Sequence, residues 1–221
     1  MRYYPIFLNL RGRSCAVVGG GRVAERRVLA LLRAGASVRV VSPAVTPRLA
    51  LLATRKKIEL TPRAFRKGDL AAAAPQSGAV APLLVFAATD DPATQEVIRG
   101  EAEALGALVN IANDLERSAF LVPASFQQGD LQVAISTSGA SPALARTLRR
   151  QLQGTLGREY KAYLRVLRAT RRQVLKTVPT AEQRKKVLRQ LASSLDWALL
   201  SGPRRARGGL QKLVSKLASK Q

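Results

Sequence analysis

The residues Gly19-Gly20-Gly21-Arg22-Val23-Ala24 carry the spacing G-x-G-x-x-A, in which small residues let a chain bring its own amides against a phosphate. Gly19 permits a tight strand-to-helix turn, Gly21 admits a pyrophosphate close to the backbone, and Ala24 lets the helix pack closely on the strand. Amides exposed at the start of such a helix favour an anion. The glycines sit between two apolar runs with a helical stretch inside, a unit of about 28 residues, which is the context a dinucleotide fingerprint requires. Arg22 either pairs with phosphate or is a solvated helix residue. The unit ends at Ser42-Pro43, where an acidic residue ordinarily holds the ribose hydroxyls. Ser42 can still hydrogen-bond a hydroxyl and carries no charge to repel a 2′-phosphate, so the sequence predicts NAD and leaves NADP open.

Other chemistry is narrowed by what the chain lacks. It has no histidine and one cysteine, Cys15. The usual general base and the commonest metal ligand are therefore missing, and one thiolate cannot build a tetrahedral zinc site. No protein-held metal is expected, and proton transfer falls to carboxylates, hydroxyls, lysines or the ligand itself. Cys15 lies in the apolar run before the glycines and reads as core packing; with no disulfide framework, a reducing compartment is expected. No apolar stretch approaches the roughly 20 residues of a membrane helix, and the opening MRYYPIFLNLRGR lacks the basic-then-apolar order of a secretory signal. The expected location is the cytoplasm, with no membrane partner.

Lysine and arginine number 37 against 14 acids, a formal charge of +23. From Thr155 onward there are 17 basic and 3 acidic residues. Such a field attracts polyanions, among them nucleic acid, acidic membrane surfaces and polycarboxylates, although solvated helix faces in an Arg/Ala-rich chain give the same count. No helix-turn-helix or aromatic stacking set accompanies the charge, so nucleic acid is not the expected partner.

The elements that must position these residues follow from periodicity. Strands are expected at 14–19, 38–41, 57–60, 83–87 and 107–111, with helices at 23–34, 44–54 and 92–105 between them. Strands alternating with helices predict an α/β fold, a Rossmann-type doubly wound parallel sheet. After residue 115 the pattern changes. Residues 119–126 and 131–137 read as strands joined by Gln127-Gln128-Gly129-Asp130 in a hairpin. Ser141-Pro142 caps and starts a helix to about residue 153. A helix from Leu156 follows, with an apolar face at Leu156, Tyr160, Tyr163, Leu164 and Leu167. Pro179-Thr180 then breaks the chain, and Thr180 with Gln183 forms a capping box for a last helix through Val187, Leu188, Leu191 and Leu195. The expected organisation is a Rossmann-like domain over 1–115, a small α+β region over 116–154, and a basic helical region with a tail over 155–221.

YPIFLNLRGRSCAVVGGGRVAERRVLALLRAGASVRVVSP, FAATDDPATQ, NIANDLERSAFLVPAS and VAISTSGASPALARTLRRQL together resemble the siroheme-synthase family, in the module that acts as precorrin-2 dehydrogenase and sirohydrochlorin ferrochelatase. The resemblance runs over about residues 3 to 155 and implies NAD-dependent oxidation of precorrin-2 to sirohydrochlorin, then, in bifunctional members, insertion of ferrous iron as a substrate. It implies a homodimer formed through 116–154, and a tetrapyrrole bearing many carboxylates suits the basic charge. By the same resemblance, nucleotide contacts fall on Gly19, Gly20, Gly21, Arg22 and Val23, on Pro43 and Ala44 beside Ser42, and on Thr89 and Asp90. The hydroxyl-rich run Ser136-Thr137-Ser138-Gly139 is matched to substrate carboxylates. Family members carry an aspartate where Asn113 stands; asparagine cannot accept a proton, so Asp114 is expected to take over as the catalytic carboxylate, and the loss bears hardest on iron insertion. A dehydrogenase of another anionic substrate, or a redox-sensing nucleic-acid binder, is the competing reading.

Overall fold

Cys15-Ala16-Val17-Val18 is apolar at every position because both faces of its strand are covered, the mark of a parallel sheet. In the computed structural model, which describes residues 3–71, 81–157 and 159–193, it is the centre of a five-stranded parallel sheet. The strands are β1 (Ser14–Val18), β2 (Ser37–Val41), β3 (Glu59–Thr61), β4 (Leu84–Ala87) and β5 (Leu108–Ile111), in the order β3-β2-β1-β4-β5. Helices α1 (Arg22–Arg33), α2 (Pro47–Thr54) and α3 (Pro92–Ala104) make the crossovers. Val17, Val40 and Phe86 pack on one side of the sheet with Val28 and Leu31 of α1 and Leu49 of α2. Val18, Val85 and Val109 pack on the other with Ile98 and Ala102 of α3. This is the doubly wound arrangement predicted from the strand and helix alternation.

Burial at Ala24, Val28 and Leu31 follows the i, i+4, i+7 spacing that gives α1 one apolar face. Gly35, at φ +81°, ends it. The amide of Ala36 donates to Leu31 and that of Gly35 to Leu32, the paired bonds of a Schellman stop that favours glycine. Cys15 is fully buried, and desolvation pushes its thiol up to about 11, as core packing requires.

The chain divides into two compact units, Met1–Val122 and Pro123–Gln221. The second holds an antiparallel hairpin of β6 (Ala124–Gln128) and β7 (Leu131–Ile135), then α4 (Pro142–Thr155), α5 (Glu159–Thr177) and α6 (Ala181–Ser193). Val166, Val174 and Val178 of the α5 segment close on Val187 and Leu191 of α6, and the Tyr163 hydroxyl donates to the Leu191 carbonyl at 3.1 Å. The capping box is present in altered form: the Gln183 amide donates to Thr180 Oγ1, and the Thr180 hydroxyl donates to Gln183 Oε1. Leu195 and the tail lie outside the described residues.

Several boundaries differ from the sequence reading, each for a local reason. The first hairpin strand begins at Ala124 rather than 119. Residues 119–120 instead run beside β5, with the Ala119 amide on the Val109 carbonyl and Asn110 Nδ2 on the Phe120 carbonyl, and Pro123 has no amide to offer a ladder. The turn shortens to Gly129-Asp130, with Gly129 at φ +65° and a Cβ there 2.7 Å from Lys161 Cγ. Helix α2 starts at Pro47, not 44, because Thr46 caps it. Helix α5 starts at Glu159 rather than Leu156, which is the C-cap of α4.

Candidate functional site

The carboxyl ends of β1, β2, β4 and β5 bring four loops to one edge: the glycine turn, residues 42–46, residues 88–91 and residues 112–114. In an open parallel sheet this edge is where ligands bind, at the point where strand order reverses, here between β1 and β4. The loops are tied together through backbone. Gly19 donates to Val41, Thr46 to Gly20, and Ala88 to Val18.

The three glycines have different duties. A Cβ at Gly19, whose φ is +117°, would stand 2.2 Å from the Ala88 carbonyl oxygen, and one at Gly20 would stand 1.9 Å from that of Ala44. Those two are required by loops closing on one another. At Gly21 an added Cβ meets nothing within 4 Å, so its missing side chain leaves room on the outside. Gly21 is also the N-cap of α1 and supplies no side-chain bond to it. The amides of the first turn, before the Glu25-to-Gly21 bond at 2.9 Å, thus have no capping side chain, and the positive end of the helix dipole lies behind them. Helices α2, α3 and α4 are each capped by a side chain, from Thr46, Asp91 and Ser141. The chemistry of this donor set fits a pyrophosphate.

Arg22 is exposed at the first position of α1, and Val23 is half-buried beside it. Ser42 is 7% exposed and its hydroxyl donates to the Ala44 carbonyl at 2.7 Å, so the proton expected for a ribose is already used within the loop. Pro43 and Ala44 are exposed next to it. Thr89 accepts the Asp91 amide on Oγ1 and the Gln95 side chain on its carbonyl, while Asp90 is exposed. Asp91 is the cap of α3, accepting from the Ala93 and Thr94 amides; the Thr94 hydroxyl, and then its amide, hold the carboxyl below the usual range.

Asn113 is exposed and sits at φ +63°, a left-handed position that asparagine and aspartate tolerate better than other side chains. Asp114 accepts from the Arg117 amide at 3.0 Å and from Arg117 Nε at 2.6 Å. Those bonds to Arg117, backbone first, hold its carboxyl below the usual carboxylate range. At neutral pH it is therefore a fixed negative charge, and a weaker proton acceptor than an unpaired aspartate. Among the described residues no three or more His, Cys, Asp or Glu side chains gather as a metal-holding group. Asp114 lies in the first unit, and Ser136, Thr137, Ser138 and Gly139 lie in the second, ahead of α4. There Ser136 Oγ accepts the Ser138 amide, Thr137 Oγ1 the Ser141 amide, and Ser141 Oγ the Leu144 amide. Ser138 (φ +53°) and Gly139 (φ +90°) make the turn between them.

The sequence reading missed an open cleft of about 560 Å³ lined by Arg22, Glu25, Arg26, Thr46 and Pro47. Thr46 joins its two sides, since its hydroxyl donates to Glu25 Oε2 at 2.6 Å while accepting from the Leu49 amide. The pair Thr46-Pro47 is itself a cap-and-start signal and would have located it.

A parallel sheet with a glycine turn and an uncapped helix at its switch point defines a nucleotide-binding protein of the doubly wound class. Residues 6–124 match the family described as "Putative NAD(P)-binding", and residues 128–155 match that described as "Sirohaem biosynthesis protein central". The chain belongs to this NAD(P)-binding family, in the form found in siroheme synthases. It is 36% identical over 186 residues to a siroheme synthase of Chromobacterium violaceum, covering 84% of this chain and 38% of that one. Against a siroheme synthase of Nitrosococcus oceani it is 39% identical over 160 residues, covering 72% of this chain and 32% of the other. The chain thus spans well under half the length of these relatives. A solved structure named SirC, precorrin-2 dehydrogenase, superposes with a TM-score of 0.77 at 26% identity, covering 96% of this chain and 100% of that one. No helix among the described residues is long and apolar enough to cross a membrane.

Proposed function

We propose that this chain oxidises precorrin-2 to sirohydrochlorin in siroheme biosynthesis, with NAD or its 2′-phosphorylated form as hydride acceptor. The observation that carries the reading is the start of α1, where Gly21 leaves the helix uncapped and the space outside it open. When bound, the nicotinamide takes the hydride. The chain's own part is to place the reactants and to manage the proton left behind. Amides from Gly20 to Val23 hold the pyrophosphate, Pro43 and Ala44 border the adenosine end beside Ser42, and Thr89 and Asp90 line the edge beyond β4. Asp114, kept ionised by Arg117, sets a negative charge beyond β5 that favours proton departure. Ser136, Thr137 and Ser138 keep hydroxyl protons to donate, and with the Gly139 amide they bind substrate carboxylates.

Asn113 offers no proton acceptor, and with no histidine in the chain removal of two pyrrole protons during ferrous iron insertion lacks a dedicated base. Chelation by this chain is therefore slow, and Asn113→Asp should raise it. Among the described residues the hairpin of β6 and β7 has an unpaired edge on each strand, and two strands alone are marginal. A second copy pairing with them gives a homodimer.

Mixing the chain with precorrin-2 and NAD or NADP should produce reduced nicotinamide in step with sirohydrochlorin. Siroheme absorbance, followed separately after adding ferrous iron, should rise faster in Asn113→Asp. Absence of nicotinamide reduction with precorrin-2 would overturn the assignment.

A further inference from the structure

Helix α5 carries Lys161, Arg165, Arg168, Arg172 and Lys176, spaced by four, three, four and four residues. At 3.6 residues per turn these steps hold all five within about 80° of the helix circumference, in a row about 22 Å long. All five are exposed. Tyr163, Val166, Thr170 and Val174 are buried on the opposite face, where Val166 and Val174 pack with Val187 and Leu191 of α6. Packing therefore turns the row outward.

Among the described residues only Arg168 of the five has an ion pair, with Asp130 Oδ2 at 2.8 Å. Like charges three and four residues apart on a helix repel, and no acid occurs between Lys161 and Lys176 to relieve them. An anion is what such a face lacks. A helix lying in a membrane surface needs a free apolar face, and that of α5 is spent on α6. The row holds no aromatic side chain on which an unstacked base could lie. What a straight row of cations matches is a regular line of phosphates, and a duplex presents about one charge per 1.7 Å of its axis.

We infer that the exposed face of α5 binds the phosphate backbone of duplex nucleic acid without reading its sequence. The missing helix-turn-helix does not exclude this partner, since that motif reads bases, whereas phosphate contacts need only donors and positive charge. Binding there does not depend on the glycine turn.

Fluorescence anisotropy of the full chain with two labelled duplexes of unrelated sequence, across about 50 to 200 mM salt, tests it. Both duplexes should bind alike. The logarithm of affinity should fall against that of salt with a slope of about −4, since each of the four unpaired cations contributes about −0.9. Arg165→Gln with Arg172→Gln should weaken binding about tenfold and make the slope shallower by about 2, with circular dichroism unchanged. Arg165→Lys with Arg172→Lys, which keeps the charge, should retain binding. Arg55→Gln with Lys57→Gln, an equal loss of charge from exposed residues of the first unit, should leave affinity and slope near those of the wild type. If the two glutamine pairs weaken binding equally, or neither does, the row is not the site. Strong preference for one duplex, or absence of binding at the lowest salt, would also overturn the inference. Binding to phosphatidylserine-containing vesicles with none to either duplex would overturn it in favour of a membrane surface.

Discussion

Two helices of this chain begin in opposite ways. Helix α1 starts on Gly21, which gives it no side-chain cap and leaves open space outside, while α4 starts on Ser141, whose hydroxyl takes the Leu144 amide at 3.2 Å. Ahead of α4, Thr137 and Ser136 take two more amides. The first start leaves its donors to a ligand, and the second satisfies its donors within the chain. Both are rich in small residues, so composition alone does not separate them. What separates them is whether the small residue brings an acceptor with it: serine does, glycine does not. A helix that starts on glycine forgoes only a few tenths of a kcal/mol of capping and leaves its first amides to whatever binds there, which is the physical content of the glycine fingerprint.

The largest test of that contrast is Gly21→Asp. The side chain has room, so the fold should survive, with circular dichroism close to wild type. Its carboxylate would cap α1 and occupy the place of the pyrophosphate with like charge. Dinucleotide binding should fall below detection in calorimetry. Retained affinity would show that the open start of α1 is not the anion site.

A smaller effect is expected from the fixed charge at the far side of the same edge. Asp114→Ala should slow nicotinamide reduction by about 10²-fold, the low end of what a positioned acid or base contributes, because Arg117 weakens it as a proton acceptor. Nucleotide affinity should change little. The pH dependence has a defined sign: with its carboxyl held below the ordinary range by Arg117, Asp114 stays charged as pH falls to the unpaired carboxylate value, and the rate should hold until pH passes below it. A rate that drops with an ordinary carboxylate midpoint would mean that the Arg117 pairing opens during turnover.

What the sequence made legible was local. The glycine turn, the Ser141-Pro142 start, the Gly35 stop and the alternation of strands and helices each depend on residues within a few positions of one another, and each is present. The illegible features depend on distant partners or on how a short loop folds back on itself. Nothing near Ala119 announces that it will bond to Val109 and shorten the hairpin, or that Asn110 will take up the Phe120 carbonyl. Ser42 reads as a free hydroxyl until the loop folds it onto Ala44. Asp114 reads as a base until Arg117 closes on it. Glu25 and Thr46, 21 residues apart, join the two sides of the cleft only because β2 returns beside β1.

The smallest effect tests the other half of the comparison. Ser141→Ala removes the hydroxyl that accepts the Leu144 amide while leaving Pro142 to start α4, so the helix should remain but its first turn should open more often. Loss of a serine cap costs about 1 kcal/mol, which is about fivefold in a local opening equilibrium. Hydrogen exchange at Leu144 should speed up by that factor, with amides in the middle of α4 and throughout the first unit unchanged. The converse substitution, Gly21→Ser, supplies α1 with the kind of cap that α4 has. Glycine is only a few tenths of a kcal/mol worse than serine at a cap, so the gain in the free protein should be slight, while dinucleotide affinity falls because the new hydroxyl competes for the same amides. If Gly21→Ser bound dinucleotide as well as wild type, the amides it caps would not be the ones that hold the ligand. If Ser141→Ala left Leu144 exchange unchanged, the hydroxyl loop would not be self-satisfied, and Ser141 would be available to substrate.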